Sequence, residues 1–160
     1  MTGTGFVVGI FIFPERIIKK EEGCRIRDDV ARLHQLLREG KCCASALVQL
    51  GLEIRGQENR QLVEAASALC RGVQSGLTCG ALTGAACMLN IIDPAKANTE
   101  LIPELAEWFI ATYGKKYGGI SCKEIIGSDV TNQTGRCPAL IEATFLQAKS
   151  ILSDYGFDFD

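Results

Sequence analysis

The chain is poor in histidine: His34 stands alone among 160 residues. One imidazole cannot build a zinc site with two or three His ligands, nor a facial triad on iron. A Rieske centre needs two His on one iron and is excluded as well. The Glu-x-x-His pair of di-iron bundles is missing, because Ala31 stands three residues before His34. No Cys-x-x-Cys-His run occurs, so covalent haem is not expected. Positive charge is not in excess either. Lys+Arg 17 against Asp+Glu 19 gives a net charge of −2, which rules out a basic nucleic-acid footprint over the whole chain. Neither glycine-rich run follows a strand-like segment, so no nucleotide loop is expected.

Long apolar runs are also few. Gly5 to Phe13 (GFVVGIFIF) is far shorter than the roughly 20 residues of a membrane-spanning helix. It has no basic residue before it, and it stops at Pro14 without a small-residue cleavage site. We read residues 1–22 as an apolar N-terminal extension; a mis-assigned start is the alternative. The compartment expected is cytoplasmic, where thiols stay reduced.

What the chain has in quantity is sulfur: eight cysteines. In a reducing compartment they point to metal binding, redox chemistry or burial rather than to a disulfide framework. Hydrophobic residues at 47% and charged residues at 22% are ordinary for a globular domain. At this length such a chain can bury about 70% of its unfolded surface. Apolar residues recur with helical period over about 25–39, 41–50, 58–72, 76–89, 98–113, 121–126 and 138–155. The expectation is a single all-α domain over residues 23–157, a compact bundle of five to six helices. Predicted buried stripes include Leu62, Ala66, Leu69 and Val73, and later Ile141, Phe145, Ala148 and Leu152. The tail Asp154–Asp160 alternates Asp with aromatics and reads as frayed, with aromatic docking as the alternative.

Three cysteines fall at predicted helix starts beside basic residues. Ser121-Cys122-Lys123-Glu124 fits a capping box, placing Cys122 at the first helical position. Cys137 precedes Pro138, which favours that same position and makes Cys137 the cap; Arg136 adjoins it. Cys43 follows Lys41 in a first turn. Free amides and the helix dipole lower a thiol pKa at such places. Cys79 sits within the fourth segment, where Gly76, Gly80 and Gly84 repeat every four residues. On a helix they form one stripe drifting by about 40° per step, a surface for a close helix or a compact cofactor. Cys70 and Cys87 read as small buried hydrophobes. Cys42 points about 100° away from Cys43 on a helix. Cys24 lies in a charged stretch. His34 reads as a surface or satisfied core residue, and Trp108 and Phe109 as core. Glu104 and Glu107 have no partner for paired acid–base work.

The run Cys79-Gly80-Ala81-Leu82-Thr83-Gly84-Ala85, with Cys43 before it and Cys122 and Cys137 after it, resembles the redox-active family named for its pattern C_GCAxxG_C_C. The likeness covers about Arg25 to Tyr155. It implies that Cys43, Cys79, Cys122 and Cys137 are the signature cysteines. A similar domain occurs in split-Soret cytochromes, which carry c-type haem and are associated with an iron–sulfur centre. Without the haem motif, only the iron–sulfur role carries over.

Three functions then compete. In the first, Cys43, Cys79, Cys122 and Cys137 ligate an iron–sulfur cluster for electron transfer to a partner protein. In the second, Cys122 or Cys137 attacks as a thiolate and another cysteine resolves the mixed disulfide. The absence of Cys-x-x-Cys counts against a thioredoxin-like pair. The third is a zinc site made by the same four cysteines, or a metal-free helical interaction module, with the glycine stripe packing a helix or a homodimer interface. Structural zinc usually takes more tightly spaced ligands.

Overall fold

The computed structural model describes residues 26–159. The apolar extension 1–22 and Cys24 lie outside the described residues. Within them the fold is all-α. Helices α1 (Ile26–Arg38), α2 (Cys43–Ile54), α3 (Arg60–Ala66) and α4 (Gly80–Ile92) are followed by α5 (Ile102–Phe109), α6 (Lys115–Tyr117), α7 (Cys122–Ile126) and α8 (Asn132–Asp154). Wide turns at Ala97–Leu101 and Ile110–Gly114 extend α5 at both ends.

The centre of the bundle is the packing of α2 on α4, and small residues set it. A β-carbon at Gly84 would lie 2.6 Å from Ala44 Cα, and one at Gly51 would lie 2.8 Å from Met88 Cγ. Leu33, Leu36, Leu47, Leu50, Met88 and Leu89 close this layer. Helix α5 adds Leu105 and Phe109, and α8 adds the full predicted stripe of Ile141, Phe145, Ala148 and Leu152. The buried surface of these large side chains is the main source of stability.

Several boundaries differ from the sequence pattern. The third segment stops as a helix at Ala66 and passes through a tight turn, Ser67–Leu69. Ala66 is buried as predicted, but Val63 takes the place expected of Leu62, which is exposed like Val73, so the predicted stripe began one residue early and ran too far. The fourth helix starts later than predicted, at Gly80, with Cys79 as its cap. Gly76 therefore lies outside it, with φ +76°. The three-glycine stripe is reduced to Gly80 and Gly84. A turn needing left-handed φ at residue 76 overrode the four-residue repeat. The last helix starts earlier than predicted, at Asn132, and carries Pro138 within it. Cys137 is thus inside α8 and not its cap. Pro138 lies beyond the first turn and has no amide to donate to Thr134 O, so α8 lacks one helical bond there.

The tail is docked. Gly156, with φ +89°, ends α8, and the Phe157 amide donates to Leu152 O at 2.9 Å. Tyr155, Phe157 and Phe159 rest on the core. Lys149 Nζ lies 4.1 Å from the Phe159 ring centroid and forms a buried ion pair with Asp29 of α1. Docking by the aromatics thus prevails over fraying.

Candidate functional site

The four signature cysteines line a single cleft of about 250 Å3. Each comes from a different helix. Cys43 is the first residue of α2, Cys79 caps α4, Cys122 is the first residue of α7, and Cys137 lies in the second turn of α8. Apolar side chains such as Leu37, Leu140 and Ile141 form much of the wall. Lys41 and Arg71 are its charged members, and no carboxylate lines it among the described residues.

Local sequence explains each placement. Ser121 caps α7 through a complete capping box, as predicted: its Oγ accepts from the Glu124 amide at 3.1 Å, and Glu124 Oε2 accepts from the Ser121 amide at 2.9 Å. An isolated antiparallel bridge, Thr78 to Ser121, ties this helix start to that of α4. The Cys79 amide donates to Ile120 O at 3.1 Å, and the Cys122 amide donates to Leu77 O at 2.6 Å. Gly80 lets α2 approach, because a β-carbon there would lie 2.6 Å from Cys43 Sγ. Gly80 also lines the cleft. Gly76 lines the adjoining surface hollow with Arg71, Cys122 and Lys123. Gly84 faces Ala44 and serves packing.

The expectation of acidic thiols is reversed. Burial raises Cys43, and the nearby backbone amides of Arg71 and Ala44 offset only part of that. Cys79 is pushed up to about 12 by burial, against the amides of Ala81 and Leu82, with the charges of Cys43 and Cys122 adding to the rise. Cys137 is pushed up to about 11 by burial and then by Cys122 and Cys43. Burial also raises Cys122, whose sulfur feels Cys43 unfavourably and Arg71 favourably. Helix-start amides act on the Cys43 and Cys79 sulfurs, but desolvation outweighs them.

The basic residues around the cleft are also partly reassigned. Lys41 is at the cleft, whereas the Arg136 guanidinium turns to Ile125 O at 2.8 Å and to the Tyr117 ring. Arg71 was missed by the sequence reading. Its position depends on a left-handed backbone, φ 55°, that no local signal announces.

Two further cysteines correct the sequence reading. Cys42 and Cys70 are joined as a disulfide, with Cα atoms 6.1 Å apart. The sequence reads Cys70 as a small buried hydrophobe and Cys42 only as pointing away from Cys43, and suggests no bond between them. Cys70 is buried, as predicted, but it is covalently paired rather than merely packed. Cys87 is a half-buried thiol, raised by burial, against the small cluster of Val48, Leu52, Val63 and Ala66.

With the geometry in place, the chain can be compared with known proteins. A family model described as "Putative redox-active protein (C_GCAxxG_C_C)" matches residues 41–151. The chain belongs to this redox-active family. The match spans α2 to α8 and takes in all four cleft cysteines, Cys43, Cys79, Cys122 and Cys137. No curated protein and no solved structure matches.

Proposed function

We propose that this C_GCAxxG_C_C protein is an electron carrier whose iron–sulfur cluster is held by Cys43, Cys79, Cys122 and Cys137. One observation carries the reading: four thiols from four helices line one cleft whose wall offers two cations and, among the described residues, no carboxylate. Thiolates are the usual ligands of such clusters, and cations balance the negative charge of the assembly.

The donor set, four cysteines with no carboxylate among the described residues of the wall, is of the kind that iron–sulfur clusters use. One tetrahedral zinc, at about 2.3 Å from each sulfur, requires sulfurs about 3.8 Å apart. Among the described residues no three Cys, His, Asp or Glu side chains gather to hold one ion. The raised thiols are compatible with the reading, because a metal displaces the proton that burial retains. When bound, a cluster supplies one-electron redox chemistry. The chain's own part is to hold and tune the sulfurs. Backbone amides of Arg71 and Ala44 favour the charged Cys43 sulfur, and those of Ala81 and Leu82 the charged Cys79 sulfur; amides that bond a cluster's sulfurs raise its potential. The partner is a second redox protein. No helix among the described residues is long and apolar enough to cross a membrane.

The dithiol reading, with Cys122 or Cys137 as attacking thiolate, has weaker support. Both thiols are raised, so little thiolate is present near neutral pH.

The test is iron and acid-labile sulfide on protein purified without oxygen, with a visible spectrum of the same sample. Stoichiometric iron and sulfide, lost in Cys43→Ser, Cys79→Ser, Cys122→Ser and Cys137→Ser, is the expected result. Protein that stays colourless and iron-free after anaerobic reconstitution overturns the reading.

A further inference from the structure

We propose that the Cys42–Cys70 disulfide is a second redox centre, reducible by external dithiols that enter through the cleft, and that its reduction frees the 71–76 loop beside Cys43. It depends only on the Cys42–Cys70 pair and the adjoining loop, so it holds in metal-free protein as well.

The two sulfurs are unequal. Cys42 is partly exposed and lines the cleft, whereas Cys70 is 1% exposed and does not. An incoming thiolate therefore meets Cys42. It bonds to Cys42 Sγ, the Cys42–Cys70 bond breaks, and Cys70 leaves as a thiolate that takes up a proton. The second thiol of the external dithiol then attacks the mixed disulfide and releases Cys42 as a thiol. Two electrons and two protons reach the protein, and the dithiol leaves as its own disulfide. Ser45 Oγ, 3.2 Å from Cys42 Sγ, holds the attacked sulfur in place on α2.

The backbone just beyond Cys70 makes the reduction consequential. Arg71, Val73 and Gln74 all have left-handed backbones, with φ 55°, 55° and 56°. For Val73, a β-branched residue, this is a genuine outlier. Such residues are strained and persist only where their surroundings over-determine them. Here both ends of the loop are pinned. At one end is the disulfide. At the other, the Leu77 amide donates to Gly72 O at 3.0 Å and Leu77 O accepts from the Cys122 amide at 2.6 Å. Releasing Cys70 unpins the first end. Arg71 is its immediate neighbour; it lines the cleft with Cys43, and its guanidinium donates to Gln133 Oε1 of α8 at 3.3 Å. Reduction thus loosens one wall of the four-cysteine cleft.

The full-length protein is equilibrated without oxygen in dithiothreitol at graded oxidised-to-reduced ratios, quenched in acid, alkylated and peptide-mapped. Cys42 and Cys70 are expected to gain label together with a two-electron slope while circular dichroism stays native. In Cys70→Ser protein, oxidised glutathione is expected to add to Cys42; in Cys42→Ser protein its addition to Cys70 is slower by at least about tenfold, the contrast that exposure dictates. Hydrogen exchange at the Arg71 and Leu77 amides is expected to speed by at least about tenfold on reduction, with the centres of α2 and α4 unchanged. A disulfide that yields to dithiol only after unfolding in guanidinium overturns the proposal. So does labelling of both cysteines in the air-oxidised protein. Unchanged exchange at Arg71 and Leu77 overturns the loop release. If either serine variant fails to fold, the wild-type titration decides alone. Iron and sulfide, read on the same samples, report separately on the cluster.

Discussion

Gly80 and Cys43 share one space: a β-carbon at position 80 would lie 2.6 Å from the Cys43 sulfur. The glycine is what allows the start of α2 to face the start of α4 across the cleft. Gly80→Ala is expected to displace Cys43 and lower iron content in reconstitution at least severalfold. An unchanged iron stoichiometry would show that Cys43 has freedom the packing does not suggest.

Gly84 tests packing without touching the sulfurs. Its added methyl would meet backbone, Ala44 Cα at 2.6 Å, which cannot turn aside. Gly84→Ala is expected to cost about 1–3 kcal/mol of overpacking, read from urea unfolding. Gly135 in α8 has nothing within 4 Å of the same position. Gly135→Ala is therefore expected to be neutral or to stabilise by up to about 1 kcal/mol.

The raised thiols set a pH dependence. A thiol raised in the folded state keeps its proton longer there than in the unfolded chain. The stability it contributes is fully present below the unfolded value of about 8.5. That stability is lost as pH rises through the folded values, about 11 for Cys137 and about 12 for Cys79. Metal-free protein is expected to show a urea midpoint that falls steadily above a pH of about 8.5. Cys79→Ser should flatten the fall, and an equally steep profile in that variant would contradict the assignment.

The buried pair of Lys149 and Asp29 joins α8 to α1 under the Phe159 ring. Lys149→Met takes the ammonium from a carboxylate that stays buried, at an expected cost of about 3–5 kcal/mol. Thermal unfolding checks it. A loss below about 1 kcal/mol would mean that the carboxylate finds water when the ammonium is gone.

Ser121→Ala removes the cap of α7. The expected loss is about 1 kcal/mol. Faster hydrogen exchange at the Cys122 and Glu124 amides should accompany it, because the bridge to Leu77 is anchored there.

The helical architecture was legible because long periodic segments carry their own signal. The α8 stripe and the Ser121 capping box are cases where local chemistry decides the structure. Cys43 and Cys122 were legible from helix-start patterns and Cys79 from its glycine run, whereas Cys137 was picked out by a helix start that lies instead at Asn132. What local reading could not supply was distance along the chain. The Cys42–Cys70 bond spans 28 positions and joins residues with no shared local pattern. Arg71 reaches the cleft by a backbone conformation that its side chain does not encode. The sign of the thiol shifts was misread for the same reason: helix starts are written in sequence, whereas desolvation is decided by what packs on top. Gly76 misled by matching a period that belonged only to Gly80 and Gly84.

The four cleft cysteines stand on four helices, and that placement bears on how the proposed cluster would be loaded. In a zinc finger the ligands lie close together, and the ion drives a disordered peptide to fold. Here no short stretch of chain carries more than two of them, and the cleft exists only once α2, α4, α7 and α8 have met. For the cluster proposed above, folding would come first and loading second: its acceptor would be the finished bundle, and unfolding would release it in one cooperative step rather than ligand by ligand.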